Sequence, residues 1–131
     1  MNVKTKRLMD KQVKSIKNNL TTHFNLPVFQ DNVAEDELKE LSSHNYFIVV
    51  YGDIQSTGVN NVYQEVSIVF ISENNDLVDE DTIDIITLIS NISAIEFDRT
   101  FKQSGQKKDT DDFIDQVTTI FKRKITYDCT I

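Results

Sequence analysis

The chain has no tryptophan, one cysteine, one proline and three glycines among its 131 residues. A lone Cys129 excludes an intrachain disulfide and fits folding in a reducing cytosol. The glycines, Gly52, Gly58 and Gly105, are too scattered for a dinucleotide fingerprint or a phosphate-cradling loop, and they read as turn residues. His23, His44 and Cys129 lie too far apart for a zinc signature. Nucleophilic catalysis needs a nucleophile, a base and a group that orients the base. No such set is recognisable here, so neither an enzyme nor a cofactor is expected. No apolar run approaches the roughly 20 residues that span a bilayer, so no membrane partner is expected either. The basic N-terminal stretch lacks the compact apolar segment and cleavage site of a secretory signal.

What remains is a soluble-protein composition, 39% hydrophobic and 27% charged. The length is that of one domain, able to bury roughly two thirds of its unfolded surface without staples. The formal net charge of −7 makes the chain a poor generic binder of nucleic acid, since affinity for phosphate comes from lysine and arginine releasing counterions. The charge is also segregated. Lys4, Lys6, Arg7, Lys11, Lys14 and Lys17 face only Asp10 in the first 17 residues. Glu73, Asp76, Asp79, Glu80, Asp81 and Asp84 stand together without a base between them. A solvated face is the ordinary account of such runs, and head-to-tail contact between copies is the alternative.

Hydrophobic periodicity sets out the elements. Leu8, Met9, Val13, Ile16 and Leu20 recur at helical spacing, predicting a helix over Thr5–Leu20 that ends near Thr21-Thr22. Pro27 makes Leu26–Phe29 extended. Ala34–Leu41 reads as a short surface helix with Asn32 as a cap. Tyr46–Tyr51 and Val62–Ile71 are strands, rich in β-branched and aromatic residues, joined by a hairpin with extensions on each side. On the second strand Tyr63, Glu65, Ser67, Val69 and Ile71 share one face, and Val62, Gln64, Val66, Ile68 and Phe70 share the other. Ser72–Val78 is an acidic loop. Asp79–Ile92 is a second helix, with carboxylates at its positive end and Ile85, Ile89 and Ile92 on a buried stripe.

The last third is less determined. Ile95–Phe101 alternates as a half-buried strand, and Ser104–Asp109 reads as a flexible loop. Phe113–Tyr127 supports a helix, with Phe113, Val117, Ile120 and Phe121 on one stripe. It also supports a strand, with Phe113, Val117, Thr119, Phe121, Ile125 and Tyr127 on one face, and the strand is favoured by composition. The resulting expectation is an α+β domain, a largely antiparallel sheet with two main helices packed on one face. Asp109, Asp111, Asp112 and Asp115 invite a calcium reading. An EF-hand loop starting at Asp109 would need Gly and Glu where Ile114 and Ile120 stand, so no metal is expected.

Ile95–Phe101, the polar loop, Asp109–Val117 and Phe121–Tyr127 together resemble the terminal hairpin of tail terminator proteins of long-tailed bacteriophages. The opening helix followed by Leu26–Phe29 is similar to that family's start, whereas the acidic Asp31–Leu41 departs from it. The resemblance covers most of the chain as an arrangement and is loose as sequence. It implies a ring of identical copies, usually a hexamer, that caps the tail tube and joins it to the head. It implies a virion protein assembled in the host cytoplasm, without catalysis or cofactor. Its partners would be further copies, the tail tube protein and a head-completion or connector protein, with DNA sliding through the lumen unbound. An acidic inner wall would repel that DNA. Lys102, Lys107 and Lys108, with Asp109, Asp111 and Asp112 of the same turn, are the candidate contact to a neighbouring subunit or the tube. Another head–tail connector component, or an acidic module holding a basic regulatory partner, are the competing readings.

Overall fold

The structure, a computed structural model, describes residues 2–41, 44–107 and 109–129. Helix α1 spans Val3–Phe24 and buries Gln12, Ile16 and Leu20, which stack at four-residue intervals. It runs past Thr21-Thr22 because Asn25 makes the stop. Asn25 adopts the left-handed conformation (φ 54°), and its N–H closes back on the Thr21 carbonyl at 2.9 Å. After Pro27, strand β1 (Val28–Gln30) pairs in parallel with the start of β2 (Tyr46–Gly58). Helix α2 (Glu35–Glu40) lies within the expected span. Asn32 is not its cap: the amide oxygen accepts from Val33 N–H at 2.8 Å, outside the helix.

Strands β2 and β3 (Asn61–Glu73) form a long antiparallel hairpin reversed at Val59-Asn60, with Gly58 paired to Asn61. Helix α3 spans Val78–Ser90. It ends short of Ile92, whose N–H closes a tighter turn on the Ile89 carbonyl at 3.1 Å, and Ala94, in the left-handed region (φ 64°), then turns the chain into β4 (Ile95–Gln106). Strand β5 (Phe113–Thr126) resolves the helix-or-strand alternative in favour of the strand. The sheet order is β1-β2-β3-β5-β4, so β5 pairs with β3 as well as with β4. That central position explains its composition: Val117, Thr119, Phe121 and Ile125 are buried at every second residue.

The two main helices lie on one face of a largely antiparallel sheet. Ile16 and Leu20 of α1 and Ile85 and Ile89 of α3 close over Phe47, Val66, Ile68, Phe70, Val117 and Phe121. Phe47 stacks on Phe70 with ring centroids 4.8 Å apart, and Phe24 tilts onto both. Each fully buried aromatic of this kind contributes about 1.5–3 kcal/mol.

Two expectations for β4 need correction. Residues 104–106 belong to the strand and pair with β5, so the flexible loop predicted over Ser104–Asp109 shrinks to the turn after Gln106. The simple alternation over Ile95–Phe101 is also broken. A bulge at Asp98 puts Phe97 against Phe121 on the helix side and Phe101 on the open side. Beyond Ile95 nearly all of β4 is exposed, as an edge strand can be.

Candidate interaction surface

Register places the candidate residues at one end of the sheet. Tyr46 opposes Ile71, Glu73 opposes Ile114, and Gln106 opposes Phe113, so β2 starts, β3 ends, β4 ends and β5 starts together. The turn between β4 and β5 is closed by its own hydrogen bonds. Lys107 N–H donates to Asp112 O at 2.7 Å, and Thr110 Oγ1 donates to Lys107 O at 3.0 Å. Asp109 sits in the left-handed region (φ 61°). A shallow depression of about 440 Å³ is lined by Gln106, Lys107, Asp109, Thr110 and Asp111.

The cations expected to reach a neighbour are engaged within the chain. Lys107 Nζ donates to Glu73 Oε1 at 2.9 Å, and Lys102 Nζ donates to Asp79 Oδ1 at 3.0 Å. That bond holds the Lys102 ammonium above its ordinary value. Lys108 lies outside the described residues. Glu73 also accepts from His44 N–H at 2.9 Å. The His44 and Lys107 hydrogen bonds pull its carboxyl down to about 2. Asp112 accepts from the Asn74 amide at 2.8 Å, locking the β4–β5 turn to the end of β3. Asp115 turns away from this surface: it is buried on the helix side and accepts from the Ser104 hydroxyl. Among the described residues no group of three or more histidines, cysteines or carboxylates could hold a metal ion.

The fold therefore gathers acids that the sequence keeps apart. Asp79, Glu80 and Asp81 open α3, just after β3. Asp109, Asp111 and Asp112 lie in the adjoining turn. The opposite end is basic. Helix α1 starts beside the β2–β3 reversal, where Thr5 Oγ1 donates to Thr126 O at 2.7 Å and Asp128 N–H donates to Asn2 Oδ1 at 2.6 Å. It ends against α3, where His23 meets Asp84 at 3.1 Å. Lys4, Lys6, Arg7 and Lys11 are exposed and, among the described residues, make no ion pair; Lys14 pairs with Asp10.

One buried polar cluster was not anticipated. Arg123, on β5, is 4% exposed and faces the helices. Its Nε and Nη2 donate to Gln64 Oε1 at 2.9 and 2.6 Å, and Nη1 reaches Gln12 Oε1 at 3.5 Å. The guanidinium lies over the Tyr51 ring, 4.9 Å from its centroid. Gln12 donates onward to Ser93 O at 3.0 Å, and Gln64 to Gly52 O at 2.7 Å. Burial draws the guanidinium below its ordinary value, and among the described residues no carboxylate pairs with it. The cluster ties α1, β2, β3, β5 and the α3–β4 turn together without presenting a reactive group to solvent. Parity carried the signal: Arg123 alternates with Phe121 and Ile125, and Gln64 with Val66.

Compared with known proteins, the chain matches no family model and no curated protein sequence. No helix among the described residues is long and apolar enough to cross a membrane.

Proposed function

We propose that this chain is a non-catalytic structural protein of a long-tailed bacteriophage, a tail terminator. It forms a ring, hexameric as in the family it resembles, that closes the tail tube and joins it to the head. The observation that carries the reading is the terminal hairpin. The segments that carry the resemblance form one continuous antiparallel pair, Ile95–Gln106 with Phe113–Thr126, on a sheet with its main helices on one face. The side-chain clusters support it as well. Their polar groups hold the fold, as Arg123 and Glu73 do.

In this reading the partners are further copies, the tail tube protein and a head-completion or connector protein. The protein resides in the neck of the virion after assembly in the host cytoplasm. DNA passes through the lumen unbound, and the −7 charge of each copy makes the ring repulsive to it.

Electron microscopy of the purified chain mixed with assembled tail tubes tests this. A ring seated at one end of each tube is expected. Tubes left bare, or decorated along their sides, would refute the assignment. A stable dimer that ignores tubes would favour an acidic regulatory module instead.

A further inference from the structure

The solvent face of the first half of α1 is an unpartnered helix face with a strong positive charge. Lys4, Arg7 and Lys11, spaced i, i+3 and i+7, line this face and are exposed, with exposed Lys6 on its flank, in a chain whose overall balance is −7. Within one copy the acids cannot reach them. Register and the α1 contacts put the opening of α3 and the β4–β5 turn at the other end of the strands. Like charges held on one face raise the free energy of the isolated copy, and an acidic surface brought against them relieves it.

A second feature coincides with the charge. Large apolar side chains are exposed at both ends. Val3 (55%) and Val59 (86%) stand at the basic end, and Leu77 (60%) and Ile83 (61%) at the acidic end. Ile83 follows Asp79 and Glu80 by one helical turn, so it shares their solvent face. A face made only for solvation has no need of an isoleucine there. A charged face with apolar anchors is the ordinary make-up of a protein contact.

We propose that the basic face of α1 in one copy docks against the acidic α3 end of a second copy, head to tail along the strand direction. This names the subunit contact of the ring and rests on that reading. The contact is heterologous, because each copy offers two different surfaces, and a repeated heterologous contact closes into a ring when its rotation permits. A nucleic-acid backbone is the other polyanion that could sit on the helix. The net charge of the copy that carries it opposes that occupant.

Charge reversal in the full chain tests the proposal by analytical ultracentrifugation. One variant carries Lys4→Glu, Lys6→Glu, Arg7→Glu and Lys11→Glu. The other carries Asp76→Lys, Glu80→Lys and Asp111→Lys. All these positions are exposed, and circular dichroism verifies the fold of each variant. The wild type is expected to associate at about 0.01 M salt and to dissociate at about 1 M, where the screening length falls from about 30 to about 3 Å. Each variant alone should associate at least about tenfold more weakly, from several lost surface pairs. An equimolar mixture of the two should associate again, because one now offers two acidic ends and the other two basic ends. A variant that assembles as the wild type does, or a mixture that stays dissociated, overturns the docking while leaving rings on tubes intact. Open filaments in place of closed rings keep the docking and overturn the ring. Salt-dependent binding of random-sequence duplex DNA that the α1 variant loses, without self-association of the wild type, assigns the face to nucleic acid and overturns the proposal.

Discussion

Replacing Arg123 by alanine probes the least expected feature of the core. The substitution strips the donors from Gln64 Oε1 and removes the contact to Gln12 Oε1, both inside the protein. A buried acceptor left unpaired costs about 1–3 kcal/mol. The guanidinium's stacking on Tyr51 adds about 0.5–2 kcal/mol. A cavity where the side chain stood adds more. These contributions overlap, and the net loss should be about 3–5 kcal/mol, a large share of the roughly 5–15 kcal/mol that stabilises a domain. With a urea slope of about 2 kcal/mol per molar, the unfolding midpoint should fall by roughly 2 M at unchanged slope.

The companion variant separates hydrogen bonding from charge. Arg123→Met with Gln64→Leu fills the space with apolar groups and removes the buried cation and its main acceptor, leaving only the 3.5 Å contact to Gln12 Oε1 unreplaced. The Gly52 carbonyl that Gln64 served is at an exposed residue, where water can replace the bond. A matched apolar replacement of a buried ionic cluster is often neutral or stabilising. The double variant should therefore unfold at a higher urea concentration than Arg123→Ala, between it and the wild type. A midpoint shift under about 0.5 M for Arg123→Ala would refute the claim that the cluster is a closed structural tie.

Further outcomes follow from single residues. Glu73 has its carboxyl held at about 2, below the ordinary 4.5, so its stabilising contribution is complete above that ordinary value. It is lost as pH falls from about 4.5 through about 2, and Glu73→Gln should remove that component from the midpoint-versus-pH curve; curves that fall in parallel through this window would contradict it. Thr119 is fully buried with a hydroxyl that finds no partner among the described residues, so Thr119→Val should raise stability by about 1 kcal/mol, and a lower unfolding midpoint would count against this. Phe47→Ala should cost about 3–5 kcal/mol in the same assay, because Phe47 is fully buried against Phe24 and Phe70; a loss under about 1 kcal/mol would mean that this stack does not anchor the core.

Legibility varied from element to element for physical reasons. Strand β3 was plain because a strand buried on one face alternates, and Gln64, Val66, Ile68 and Phe70 do so. Helix α3 was plain because its isoleucines repeat with the helical period and its acids crowd the positive end. Strand β5 was ambiguous because Val117, Ile120 and Phe121 satisfy both periods over a short window. Pairing on both sides, with β3 and with β4, decides it, and that is a non-local fact. The bulge at Asp98 left no local mark, so the opposite facing of Phe97 and Phe101 was not readable.

By itself the amino-acid order determined the element types other than that of β5, the buried stripes of α1 and α3, the alternation of β3, and the segregation of charge along the chain, because these depend on neighbours within a few residues. Tertiary structure alone decided that the acids of α3 and of the β4–β5 turn share one end of the sheet and that the lysines at the start of α1 stand at the other. It alone decided that Lys102 and Lys107 are held by Asp79 and Glu73, and that Arg123 is buried between two glutamines. Those outcomes rest on strand order and register, which bring together residues far apart in the chain and have no local signature.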